Sequence, residues 1–190
     1  MKLGMIVLIT ALVVAPACGG GGSSSASAGG SPSPIAASFT PDQPSPGAKN
    51  AAMAQGATSN DVVTVNVTLT STTGVYGAAF DVTYDSFHTV FLGYTPGTLF
   101  EQGGNATTYQ VTPNTTSNPP HITVGVSRTG ATTADASGTQ TVIGLQFRVK
   151  QPGVYPLTVP SAMNPVVYDG QSTPQPIQGI TWFAGAVTGV

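Results

Sequence analysis

Charge is the first thing this sequence lacks. Lys, Arg, Asp and Glu together make up 6% of its 190 residues, five basic and seven acidic. That excludes a basic groove for nucleic acid, whose affinity comes from neutralising phosphates, and an acidic cage for ions. Histidine is nearly as scarce. His88 and His121 are the only two, and neither sits in a HExxH or HxH spacing, so no metal and no cofactor is expected. No Gly-x-Ser-x-Gly elbow occurs. The acids Asp61, Asp81, Asp85, Glu101, Asp135 and Asp169 include no pair marked for a glycosidase cleft. Asp85 follows a strand and is read as fixing the next turn through Asx hydrogen bonds. The expectation is a protein that is not an enzyme. A single cysteine, Cys18, cannot form an internal disulfide.

The position of Cys18 has its own meaning. Lys2 precedes an apolar run, Leu3 to Val14, which is long enough for a signal-peptide core and too short for a membrane span. Ala15-Pro16-Ala17-Cys18 then resembles the bacterial lipobox, departing from it at Ala15, where Leu is usual. The resemblance implies cleavage after residue 17 and lipidation of Cys18. Gly19, in place of Asp, implies an exported, lipid-anchored protein of the cell envelope at the outer membrane. The alternative is a plain secretory signal cut at a nearby alanine.

Residues 18–59 are mostly Gly, Ser, Ala and Pro, including GGGGSSS and SPSP. Such composition buries too little to offset chain entropy, and predicts a flexible linker with a reach on the order of 35 Å. Residues 60–190 then form one domain. Val63, Val65, Val67 and Leu69 alternate with polar residues, as do Tyr76 to Tyr84, Ile122 to Val126 and Ile143 to Val149. Alternation at period two marks strands with one buried face. Shorter runs lie at about 89–94, 107–111, 154–159, 166–168 and 180–187. Turn pairs such as Thr73-Gly74, Pro96-Gly97, Ser137-Gly138 and Pro152-Gly153 separate the runs. The fold class is therefore all-β, a jelly-roll sandwich of about nine strands.

Four segments carry a family resemblance. They are Val63-Thr64-Val65-Asn66-Val67-Thr68-Leu69; Gly77-Ala78-Ala79-Phe80-Asp81-Val82-Thr83-Tyr84-Asp85; Phe91-Leu92-Gly93-Tyr94-Thr95-Pro96-Gly97-Thr98-Leu99; and Gly138 through Lys150 with Leu145-Gln146-Phe147-Arg148-Val149-Lys150. Together and in this order they resemble the cohesin family, departing from it at Ser86, where Pro is usual, and at Gln140. The resemblance implies a sandwich related to family 2 and 3 carbohydrate-binding modules. It also implies a dockerin-like protein partner, linked to polysaccharide degradation, held on one sheet face that includes the third, fifth and sixth strands.

On that basis the candidate binding residues are Val90, Leu92 and Tyr94, then Thr108 and Gln110, then Thr123, Ser127 and Arg128. Both faces of the 89–94 run are apolar. Either Phe91 points inward and Val90, Leu92 and Tyr94 form an exposed strip, or that trio faces the core and Phe91 caps an edge. Arg128 reads either as an interface anchor or as a solvated strand end. A polysaccharide ligand is the rival to a protein partner, and would need Tyr94, Tyr109 and Tyr155 on one platform; a structural domain of an envelope or secretion assembly is the third reading. Trp182 is expected in the core. Contact with a membrane is expected through the lipid anchor only.

Overall fold

The computed structural model describes residues 34–130 and 132–190. The expected leader, Cys18 and the first part of the expected linker lie outside the described residues. Eleven strands follow: β1 (Ala37–Pro41), β2 (Asn50–Ser59), β3 (Val62–Thr83), β4 (Thr89–Pro96), β5 (Thr107–Asn114), β6 (His121–Arg128), β7 (Ala134–Val149), β8 (Gly153–Leu157), β9 (Val166–Asp169), β10 (Thr181–Phe183) and β11 (Gly185–Gly189). No helix among the described residues is long and apolar enough to cross a membrane.

The organising element is β3, which changes partners midway. Its first half pairs antiparallel with β2 and β7, from Val63↔Phe147 to Thr70↔Thr139. Its second half pairs with β6, from Gly77↔Ser127 to Thr83↔His121, and with β9. Between the halves the register slips, and Ser71 and Gly74 take positive φ of 44° and 70°. A bulged, left-handed stretch of this kind bends a strand sharply, and here it carries β3 from one layer into the other. One layer runs β10-β2-β3-β7-β4; the other runs β5-β6-β3, with β9 beside them. A three-stranded sheet, β1-β11-β8, joins the second layer through the Thr83↔Thr158 bridge.

The alternation read from the sequence is the alternation of burial. Val63, Val65, Val67 and Leu69 meet Ile143, Leu145, Phe147 and Val149 on the inner face of the first layer. Phe80, Val82, Ile122, Val124 and Val126 supply the inner face of the second. The outward threonines Thr64, Thr68 and Thr70 are also buried, since β3 is central and its neighbours' side chains cover them. Thr68 satisfies its hydroxyl on the Ala52 carbonyl at 3.0 Å, as a buried hydroxyl must.

The expected linker end at residue 59 is corrected by these strands. β1 pairs with β11 from Ala37↔Gly189 to Pro41↔Gly185, and β2 pairs with both β3 and β10. Few large side chains suffice there. Phe39 and Met53 are buried, each worth about 1.5–3 kcal/mol, and Ala51 and Ala52 beside them are buried too. The strand total rises from about nine to eleven for the same reason. The first two alternating runs are one continuous β3, while the last run divides into β10 and β11.

Candidate functional site

The outer face of the second layer is built by pairing parity, because directly opposed residues share a face. Rows across β5, β6, β3 and β9 read Thr108, Ser127, Gly77, Tyr168; then Gln110, Gly125, Ala79, Val166; then Thr112, Thr123, Asp81. The first two rows place Gly77, Ala79 and Gly125 side by side on adjacent strands. Missing side chains leave a depression of about 310 Å³ between Thr108 and Gln110 on one flank and Tyr76, Tyr168 and Pro174 on the other. The register slip between Val75 and Gly77 lies at Tyr76 and brings that ring to the wall. No charged group lines the depression. The nearest row carries Asp81, which is already held by the Thr123 hydroxyl at 2.5 Å.

Glycine at the floor has two different causes. A Cβ on Gly77 would stand 2.8 Å from the Val126 carbonyl oxygen, so the backbone forbids it; one on Gly125 would meet nothing nearer than Gln110 Cβ at 3.7 Å. The Gly125 vacancy is therefore open space that another side chain could occupy without disturbing the sheet.

Of the residues singled out from sequence, Thr108, Gln110, Thr123 and Ser127 do meet on this face. Val90, Leu92 and Tyr94 do not. They belong to β4, which pairs with β7 in the opposite layer. Phe91 packs inward on Phe147 with ring centroids 5.8 Å apart, which settles the orientation of the strand's first half. All three of the trio are exposed, yet they do not form one strip. A bulge at Leu92, with Gly93 at φ 142°, shifts the phase, so Val90 opposes Arg148 while Tyr94 opposes Leu145 of the inner face. Tyr94 consequently lies at the lip between layers, 5.7 Å from Tyr109. The misplacement follows from the linker reading. With β2 counted first and the two halves of β3 second and third, the third strand is Gly77–Thr83, and β4 is the fourth.

Arg128 is corrected as well. It is 4% exposed, neither an interface anchor nor a solvated strand end. Its guanidinium donates to the Phe100 carbonyl at 3.0 Å and to the carbonyls of Gln102 and Thr133. It ties the loop after β4 to the loop after β6.

The tyrosines proposed as a sugar platform do not form one: Tyr94 and Tyr109 are neighbours at the lip, but Tyr155 lies apart, packed on His88. Tyr109 is half-buried with its hydroxyl against the Gly97 amide at 3.3 Å, and Tyr155 is buried and stacked on His88 at 4.9 Å. Trp182 packs partly buried on Phe80 at 5.1 Å. Burial pushes the Tyr84 and Tyr109 phenols above the ordinary tyrosine range.

Two polar clusters invite a catalytic reading. Asp85 Oδ1 accepts from the Phe87 and His88 amides at 2.8 and 3.1 Å, and Oδ2 lies 2.7 Å from His88 Nδ1. This is the Asx turn expected at Asp85; the His88 side chain, then the two amides, hold its carboxyl below the usual carboxylate range. Ser117, His121 and Asp81 also gather, with Ser117 Oγ 3.0 Å from His121 Nδ1 and His121 Nε2 4.0 Å from Asp81. The last separation is no hydrogen bond, and the Ser117 hydroxyl is already within 2.8 Å of the Pro119 carbonyl and 3.0 Å of the Asn114 carbonyl. Neither cluster opens into the depression. Among the described residues, no group of three or more His, Cys, Asp or Glu is arranged to hold a metal.

A two-layer jelly roll with a shallow, uncharged depression on one sheet face is the form of a recognition module. The family model described as the cohesin domain matches residues 52–188, and the chain belongs to the cohesin family, a family of non-catalytic binding modules. No curated protein matches the sequence. Among solved structures, the chain is similar to the cohesin CaCohA2 of Clostridium acetobutylicum, at 23% identity over 72% of this chain and 88% of that one, TM-score 0.52. The second type II cohesin module of the adaptor scaffoldin ScaA from Acetivibrio cellulolyticus shares 11% identity, covering 78% and 85%, TM-score 0.54. A type II cohesin–X-dockerin complex of the same organism, an interface mutant, matches at 12%, covering 76% and 90%, TM-score 0.51. At these identities the likeness is one of fold.

Proposed function

We propose that this chain is a non-catalytic display module that captures a dockerin-type protein on the outer face of the β5-β6-β3-β9 layer. The depression floored by Gly77, Ala79 and Gly125 carries the reading. It offers an apolar seat that an aliphatic or small aromatic side chain of a partner can fill, ringed by hydroxyl and amide groups that can hydrogen-bond at the rim. Because no charge lines it, docking there depends weakly on salt. Lipidation at Cys18 and envelope display complete the proposal, with polysaccharide-degrading enzymes as the class of protein that would carry the partner module.

The test is titration of purified dockerin modules, from a panel, into wild type, Gly125→Leu and Leu92→Asp. Gly125→Leu fills the seat from open space and should weaken binding at least about tenfold, or 1.4 kcal/mol, with an unchanged unfolding midpoint. Leu92→Asp, on the other layer, should bind as wild type does. Equal binding by Gly125→Leu, or loss confined to Leu92→Asp, would move the face elsewhere. Retention on cellulose or chitin with no dockerin captured would replace the protein partner by a polysaccharide.

A further inference from the structure

The sandwich has two unlike ends, and the chain enters at one of them. Ala36 exchanges both backbone hydrogen bonds with Val190, and the Ala37 amide donates to Asn60. The neighbouring pairs Gly189↔Gly153, Thr188↔Val154 and Thr89↔Val149 bring the turn at 150–153 and the turn at 85–88 to the same end. That end holds the three most exposed large apolar side chains among the described residues, Phe87 at 83%, Val190 at 75% and Val154 at 65%.

Phe87 is not loosely held. Around it, Asp85 binds the Phe87 and His88 amides, its carbonyl accepts from Thr89, Lys150 Nζ donates to the Ser86 carbonyl at 3.0 Å, and the Lys150 amide donates to His88. The His88 ring is stacked at 10° on buried Tyr155. A turn this constrained presents its aromatic ring at little entropic cost on contact. Arg148 pairs with Asp61 at 3.3 Å at this end, Asp85 is held by the His88 ring, and the Lys150 ammonium sits on the Ser86 carbonyl, one residue from Phe87.

We propose that this end rests on a lipid surface, with Phe87 and Val154 entering the headgroup region and Lys150 level with the phosphates. The occupant follows from what precedes Pro34. The 33 residues before it carry an apolar run and Cys18, and they join the domain at this end. The inference rests on the reading of Cys18 as lipid-bearing. Because β1 already belongs to the sandwich, only the 15 residues Gly19–Ser33 separate Cys18 from the described fold. The docking depression lies towards the bend of β3: Gly77 is roughly 20 Å, at about 3.3 Å per residue, from Thr83 beside the 85–88 turn. Lipid contact at the 85–88 turn leaves it uncovered.

The test uses the full-length acylated protein in phosphatidylcholine–phosphatidylglycerol vesicles. In the variant F87W, indole emission should shift to the blue and be quenched by brominated lipid. The parent protein, whose sole Trp182 is near Lys49 and Thr70 at the far end, should show neither effect. Flotation that persists while the indole of F87W stays solvent-exposed and unquenched overturns the contact and leaves the anchor intact. Absence of flotation, or equal flotation of Cys18→Ser, removes the anchor and this inference with it.

Discussion

Arg128→Met is the most informative single change to the scaffold. The substitution keeps side-chain length and apolar stem but removes every donor from a site that is 4% exposed. Three carbonyls lose the guanidinium, and they do not lose equally. The Phe100 oxygen keeps the Thr107 hydroxyl at 3.0 Å, and the Gln102 oxygen keeps the Asn105 amide at 3.0 Å. Among the described residues, no other side chain donates to the Thr133 oxygen. One orphaned carbonyl costs about 1–3 kcal/mol, and each weakened one about 0.5–1.5 kcal/mol. Relief of a buried charge offsets part of this, so the net loss should be about 3 kcal/mol. For a domain of this size that lowers Tm by roughly 6–12 °C. Urea and thermal unfolding of wild type, Arg128→Met and Arg128→Lys measure it, with Lys recovering a minor share because it cannot span three acceptors. A loss below about 1 kcal/mol for Arg128→Met would mean that the two loops do not depend on this clamp.

Gly77→Ala should cost about 1–3 kcal/mol, since its Cβ would press on the Val126 carbonyl at 2.8 Å, whereas Gly125→Ala should be nearly neutral; paired urea midpoints decide it. Asp85→Asn should lose on the order of 0.5 kcal/mol at neutral pH, a small effect because the pair is solvent-screened. The folded Asp85 carboxyl titrates lower than in the unfolded chain, so its stabilisation is full above the unfolded pKa near 4 and vanishes as pH falls through the folded value. Unfolding midpoints of wild type and Asp85→Asn should therefore converge in acid, and a constant gap would contradict the assignment.

Strand composition and phase were legible in the linear chain because burial in a sheet repeats every second residue. The runs Val63–Leu69, Ile122–Val126 and Ile143–Val149 name their own inner faces, and those faces are buried as read. Asp85 already marked its turn. The four motifs in order pointed to the family to which the chain belongs.

Three decisions were made only in three dimensions. Asn50–Ser59 looks like linker because alanine and glycine carry little hydrophobic signal, yet it pairs along β3 and buries Ala51, Ala52 and Met53. Leu92 and Tyr94 share a parity in sequence, but one bulge at a glycine with positive φ breaks that parity, and pairing with β7 sends β4 to the other layer. Arg128 reads as a surface charge because nothing local reveals its acceptors, which come from loops 26 and 28 residues before it and one five residues after. Periodicity is a property of neighbours along the chain and can be read there. Which strands share a face, and what stands opposite a glycine, depend on contacts distant in sequence, and only the folded chain brings those together.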